Sequence, residues 1–179
     1  MSVELKGLKD LAKNSKELQK KLNKTIRRST KAAALKLLAD AVELAPVYQG
    51  QIDENGELLK DEEGNVVKTH TGGKLKGSGT VVLNNKTVVA ESDENGNINA
   101  AKSNSSSARD MESVSFFDVG FNTTYAEKQH DHEEYRHIDG QADYLMQPMR
   151  ELKSTFEEQI IKDAKKTMEK ETRKNRTNN

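Results

Sequence analysis

Residues 17–45 read ELQKKLNKTIRRSTKAAALKLLADAVELA and are followed by Pro46. Leu18, Leu22, Ile26, Ala33, Leu37, Ala41 and Leu44 recur at spacings of three and four, which a 3.6-residue helix gathers onto one stripe. Lys20, Lys21, Lys24, Arg27, Arg28, Lys31 and Lys36 take much of the remaining surface. Pro46 ends the run, because proline lacks the amide hydrogen and disfavours the α conformation in the residue before it. The stretch therefore predicts one long amphipathic helix over 17–45. Upstream, Leu5, Leu8 and Leu11 read as a short strand or turn leading into a first helical turn, with a break or cap at Asn14-Ser15.

A second helix is predicted over 148–170, where Leu145, Met149, Leu152, Phe156, Ile160, Ala164 and Met168 keep the same spacing. Pro148 falls in its first turn, where the missing N–H costs nothing. Residues 171–179 contain nothing to bury and are predicted to be a disordered tail.

Between the helices the period changes to two. Residues 80–83 and 87–90 flank Asn84-Asn85-Lys86, a hairpin signal with β-branched arms. Residues 113–121 supply a further strand, and 57–59 with 66–68 a second, acidic hairpin. Residues 95–108 read as a low-complexity Ser/Asn/Ala loop. Asp53-Glu54-Asn55-Gly56, Asp61-Glu62-Glu63-Gly64 and Asp93-Glu94-Asn95-Gly96 repeat one style of tetrapeptide. Its glycine falls fourth rather than sixth and no glutamate closes a twelve-residue frame, so it reads as a turn and not as a calcium loop. Together these predict an α+β fold in which the two helices pack on a small, mainly antiparallel sheet. Residues 1–170 form a single domain in this reading, with an acidic hairpin insertion at 48–70 and the loop at 95–108.

The chain of 179 residues carries 29 basic and 29 acidic side chains, a net charge of zero that conceals segregation. Residues 1–40 hold eleven Lys/Arg against four Asp/Glu, and residues 41–140 nine against eighteen. Such polarity concerns partners and assembly rather than fold. Leu, Ile, Val and Phe supply only 36 of the 179 residues, enough for a small core that partner subunits would have to complete. Cysteine is absent, which excludes disulfides, thiolate metal sites and cysteine nucleophiles. No run approaches the ~18 apolar residues of a membrane span, and the first residues lack a signal-peptide pattern.

Candidate chemistry is sparse. His130, His132 and His137 lie among Asp131, Glu133 and Glu134, a mixture able to ligate zinc; on a strand His130 and His132 would share a face. Their spacing matches no helical metal pair, and the competing reading is a polar connecting loop. Residues 71–78, Thr-Gly-Gly-Lys-Leu-Lys-Gly-Ser, are glycine-rich and basic but lack the phosphate-loop spacing. The basic helix between Lys16 and Lys36 raises DNA binding, although no aromatic residue interleaves with its charges for stacking. No nucleophile elbow is present. No catalytic residue and no cofactor is expected.

Taken in chain order, several short motifs resemble the tail-completion, or head–tail joining, proteins of long-tailed bacteriophages, often labelled minor capsid proteins. The first is the long helix ending in Ala45-Pro46. Thr71-Gly72, Leu75 and Ser78 then resemble that family's Thr-Gly-x-Leu-x-x-Ser signature with one extra residue. Tyr125-Ala126 follows the Phe-rich strand, and Tyr144-Leu145-Met146-Gln147-Pro148 opens the last helix. The chain departs from the family pattern by the insertion at 48–70 and the long 95–108 connection. The resemblance implies a non-enzymatic structural protein of the virion neck, made in the host cytoplasm. It would form a homo-hexameric ring between portal-side head-closure or adaptor proteins and the tail tube or tail terminator. Nucleic acid would at most pass through the lumen. Within such a ring, Lys20, Lys24, Arg27, Arg28 and Lys31 of one subunit would face Asp53, Glu54, Asp61, Glu62 and Glu63 of the next.

Overall fold

The computed structural model describes residues 6–51, 53–55, 57–68, 73–101, 116–131 and 139–177, the side chains of 6–11 and 175–177 excepted. The architecture is α+β. Helix α1 (Lys6–Leu44) is followed by strands β1 (Gly79–Leu83), β2 (Thr87–Ser92), β3 (Ile98–Ala100) and β4 (Phe117–Phe121), a short helix α2 (Ala126–Asp131) and the long helix α3 (Met146–Thr177). The strands form one antiparallel sheet in the order β3-β2-β1-β4.

Helix α1 starts eleven residues before the predicted Glu17, and it passes through Asn14 and Ser15 without interruption. These two residues cost a helix interior only a few tenths of a kcal/mol each, too little to break it without a proline. Helix α3 likewise runs on through Thr177, so the tail predicted from 171 is helical for seven more residues. The chain divides into two compact units. One contains residues 6–32 and 154–177 of the two long helices together with Phe116; the other contains residues 33–101 and 117–153, each as far as described.

In the second unit the C-terminal part of α1 packs on the sheet. Ala34, Leu38 and Val42 are buried with Val81 of β1 and Ala90 of β2, and Leu35, Val89, Ile98, Phe117, Val119 and Phe121 close around them. The buried ridge therefore passes through Leu38 and Val42, a step round the helix from the predicted Leu37 and Leu44, which are only half-buried. Gly79 accounts for the choice. A Cβ there would lie 2.8 Å from Leu38 Cδ1, 3.1 Å from Val42 Cγ2 and 2.7 Å from Ser92 Oγ. The bare glycine leaves a notch into which these two side chains settle, and periodicity alone cannot see a notch on another element. Ser92, the buried polar residue beside it, accepts from Gly79 N at 2.8 Å and donates to Lys76 O. The hydroxyl is thereby satisfied within the core.

The β1–β2 hairpin turns at Asn84 and Asn85, both with positive φ (50° and 55°), and Lys86 N donates to Leu83 O. This backbone matches the right-handed strand twist, and asparagine tolerates it better than most residues. The three acidic tetrapeptides are indeed turns, and the three are built alike. Asp53 Oδ1 accepts from Asn55 N and Glu57 N, Asp61 Oδ1 from Glu63 N and Asn65 N, and Asp93 Oδ1 from Asn95 N and Asn97 N, all at 2.8–3.1 Å. Each aspartate N–H donates in turn to the carbonyl four residues on.

Two expectations for the middle of the chain need correction. The third of these turns feeds β3, so Ile98–Ala100 is a strand inside the stretch read as loop; residues 102–108 lie outside the described residues. Ile98 and Ala100 are too short a pattern to stand out from the surrounding Ser/Asn/Ala run, and the strand forms where the turn returns the chain alongside β2. Residues 57–68 do not form a regular hairpin either. Lys60 bridges Val66 in antiparallel sense, within a three-way arrangement in which Gln51 N donates to Val67 O, Leu59 N to Gln51 O and Val67 N to Leu59 O. Two turns only eight residues apart leave segments too short for a ladder.

The position of the buried ridge gives a direct prediction. Leu38→Ala lowers stability by about 2–5 kcal/mol, as expected of a core leucine, whereas Leu37→Ala costs less than half as much. Urea unfolding of the two variants checks the ordering.

Candidate functional site

Two features stand out as sites: a buried cluster at the end of α1, and the surface of the helix pair.

Ala45 closes α1, with Ala45 N donating to Ala41 O at 2.9 Å. It is buried together with Leu75, Ala126 and Tyr144, and Leu44, Phe121 and Leu145 pack against the group. The Tyr144 ring meets Phe121 edge-on at 4.9 Å, and its hydroxyl donates to Ala126 O at 3.0 Å. Burial pushes the Tyr144 phenol up to about 12, with the Asp131 charge adding to the shift. It stays a neutral donor at any physiological pH. Ser78 ends the 3-10 turn that follows Leu75, donating from both Oγ and N to Leu75 O. Pro148 is buried in the first turn of α3, and Tyr125 lies at the surface with 37% exposure.

Pro46 is buried against Gly140, a residue the sequence reading did not single out. At φ 82° a Cβ on Gly140 would come within 2.5 Å of Pro46 Cα. The close approach lets Gln141 N donate to Leu44 O at 2.9 Å, which satisfies a carbonyl left open where proline stops the helix. Motif residues drawn from four parts of the chain thus meet in or beside one cluster. Thr71 and Gly72 lie outside the described residues.

His130 sits on helix α2 and not on a strand. Its Nδ1 is 2.8 Å from Asp131 Oδ1, its Nε2 3.6 Å from Asp143 Oδ1, and its ring meets Tyr144 edge-on at 5.1 Å. Its carbonyl accepts from Asp143 N at 2.8 Å, and Arg150 pairs with Asp143. His130 therefore braces the Tyr144 cluster. His132 and His137 lie outside the described residues, and among those described no three His, Asp or Glu side chains gather as metal ligands.

The first unit is a pair of antiparallel helical segments joined by a polar seam. Lys21 pairs with Glu171, Thr25 Oγ1 meets Thr167 Oγ1 at 3.0 Å, and Ser29 Oγ donates to Asp163 Oδ2 at 2.7 Å. The threonine proton of Thr167 goes back to Asp163 O, which leaves Thr25 as the donor across the seam. These residues step by four along each helix, upward on α1 and downward on α3. Among the described residues of this unit none is fully buried.

The seam fixes what the two flanks present. In antiparallel helices, residues rotated in the same sense from the contact line fall on the same side. The residue before each seam position is Lys20, Lys24 or Arg28 on α1 and Lys162, Lys166 or Lys170 on α3, all exposed. The residue after each is Leu22, Ile26 or Thr30 on α1 and Ala164, Met168 or Thr172 on α3. At these positions one side carries six cations and the other none, although Lys165, seven residues before Thr172, borders the second side. Lys31, seven residues on from Lys24, lies on the same side as the α1 cations, and Arg27 points further round. Asp53, Glu54, Asp61, Glu62 and Glu63 belong to the acidic turns of the other unit. The α3 row of cations escaped the sequence reading, although the repeated triplet of basic, seam and uncharged residues in both helices would have revealed it.

Compared with known proteins, the chain matches no family model, no curated protein and no solved structure. No helix among the described residues is long and apolar enough to cross a membrane.

Two outcomes follow from this geometry. Tyr144→Phe, which removes only the buried hydroxyl, costs about 1 kcal/mol in chemical denaturation. The second concerns acid. The Ser29 hydroxyl, followed by Gln159, holds the Asp163 carboxyl below its usual range, and Lys21 does the same for Glu171. Folded-state pKa values below the unfolded ones mean that both carboxylates favour the folded pair above about pH 4. That contribution disappears as pH falls through the lowered values. Hydrogen-exchange protection of residues 21–29 and 163–171 should drop in acid before that of residues 81–90, and less so in Asp163→Asn.

Proposed function

We propose that this chain is a structural, non-enzymatic subunit of the bacteriophage neck, forming a ring that joins the DNA-filled head to the tail. One observation carries the reading. Ala45, Leu75, Ala126 and Tyr144, named by the resemblance as scattered short motifs, are buried together in a single cluster with Leu145 packed on it. Motif residues that share one cluster define a common framework, whereas unrelated coincidences would scatter. The segregation of charge fits a head-to-tail ring. A basic α1 surface on one subunit can meet the acidic turns at 53–57, 61–65 and 93–97 of the next, and such heterologous contacts close into rings. The proposed partners are other copies of the chain, six to a ring, with a portal-side adaptor on one face and the tail tube or terminator on the other.

A second reading, a DNA-associated protein, is favoured by the six cations of one flank. Rows of three along each helix, about 6 Å apart within a row, would neutralise phosphates and release counterions.

Joining DNA-filled heads to tails in an extract that lacks this protein separates the two. Under the neck reading, wild-type protein restores joined particles and Tyr144→Ala restores them at least tenfold less well; failure of the wild type to join anything contradicts it. Under the DNA reading, affinity for a 30-base-pair duplex falls about 10³-fold between 50 and 200 mM salt if all six cations engage phosphates.

A further inference from the structure

We propose that Asn95-Gly96 is a gated self-modification site: the asparagine persists while the 93–97 turn is closed, and converts to aspartate or isoaspartate when the turn opens. The chemistry needs no enzyme. The Gly96 backbone nitrogen, on losing its proton, attacks the side-chain carbonyl carbon of Asn95. The new N–C bond forms, the bond to Nδ2 breaks, and ammonia leaves carrying the proton. Water then opens the five-membered imide at either carbonyl. One opening gives aspartate; the other routes the main chain through the side chain and lengthens it by a methylene. Glycine in the following position favours the attack, because it has no Cβ to crowd the nitrogen. Asn95 is exposed, so water and base reach it.

The gate is the turn's own hydrogen bonding. Gly96 N, the nucleophile, donates to Asp93 O at 2.8 Å, and must leave that partner before it can lose its proton. Asp93 Oδ1 accepts from Asn95 N at 3.0 Å and from Asn97 N at 2.9 Å, on either side of the reacting bond, and the Asn97 side-chain amide donates to the same carboxylate. These bonds hold the backbone of residues 95 and 96 at its turn angles, Gly96 at φ 85°, and keep the nitrogen from swinging onto the side-chain carbon. The Asn97 side chain holds the Asp93 carboxyl below its usual range, and an ionised carboxylate this close opposes a further negative charge on the Gly96 nitrogen. The turn is also pinned from outside. A Cβ on Gly73 would lie 2.8 Å from Glu94 O, one on Gly77 3.0 Å from Glu94 N, and one on Gly96 3.2 Å from Val42 Cγ1. At Gly64 of the 61–65 turn, by contrast, a Cβ would meet nothing within 4 Å among the described residues. Conversion bears on the sheet because this turn feeds β3. A methylene added at residue 95 displaces the pairing of Ile98, Asn99 and Ala100 with Ser92, Glu91 and Ala90.

Peptide mapping of the full-length chain during prolonged incubation at neutral pH tests the inference, reading the replacement of –NH2 by –OH at Asn95. Conversion in the folded chain is at least about tenfold slower than in guanidinium that unfolds it, because it proceeds only through local opening. Asp93→Ala removes the acceptor of two main-chain hydrogen bonds and speeds conversion about tenfold. Asp93→Asn, which keeps an oxygen acceptor there, stays closer to wild type. Asn55, also followed by glycine, is the internal control and keeps its wild-type rate in both variants. Equal rates in the folded and unfolded chain overturn the inference. So does an Asp93→Ala chain that converts no faster than wild type, or one in which Asn55 speeds up as much as Asn95. Where circular dichroism shows that Asp93→Ala has unfolded, the comparison of folded with unfolded wild type decides alone.

Discussion

The buried phenol of Tyr144 is the point on which the sheet-bearing unit depends. Its hydroxyl reaches Ala126 O, its ring stands edge-on to Phe121 and His130, and its surroundings include Ala45 and Leu75. One side chain thereby fixes where α1 ends, where the 3-10 turn enters β1, where α2 begins and how the chain approaches α3. A buried hydroxyl must keep its partner, because an unsatisfied polar group costs more than the bond contributes. That requirement holds four distant segments to one geometry. Gly140 and Gln141 complete it by closing over the Pro46 end of α1.

The first unit follows a different physical rule. Its helices meet through hydroxyls and an ion pair, which exchange solvent contacts for protein contacts at little net gain. The sheet unit has Leu38, Val42, Val81 and Tyr144 fully buried, and nothing comparable appears among the described residues of the helix pair. A weak polar seam beside a row of cations on each helix suits an element whose stability is shared with a partner. The net charge of zero then has a physical sense: it is a sum over surfaces of opposite sign, kept on separate elements.

Much of the fold was legible because it rests on local pattern. The 3.6-residue period located both long helices, Asn84-Asn85 located the hairpin, and the repeated Asp-Glu tetrapeptides declared their turns through short-range hydrogen bonds. What escaped was decided by distant residues. Leu38 rather than Leu37 faces the sheet because Gly79, some forty residues away, has no side chain. β3 is only three residues long and owes its pairing to the turn before it. Helix α3 outlasts its apolar stripe, and Glu171 in that extra stretch is held by Lys21, 150 residues distant. The motif residues were found as fragments. Their meeting around Tyr144, and the role of Gly140 beside Pro46, required the tertiary fold. The two-sided character of the helix pair was present in the sequence as a triplet repeated every four residues, but only the seam shows which member of the triplet faces inward.

Native mass spectrometry of the purified chain, alone and with its head-side and tail-side partners, tests most directly whether the molecule is a ring subunit finished by its neighbours. A closed assembly of six 20.0 kDa copies, dispersed by high salt as the basic and acidic surfaces are screened, is the predicted result. A chain that stays monomeric at every concentration and with every partner would contradict it.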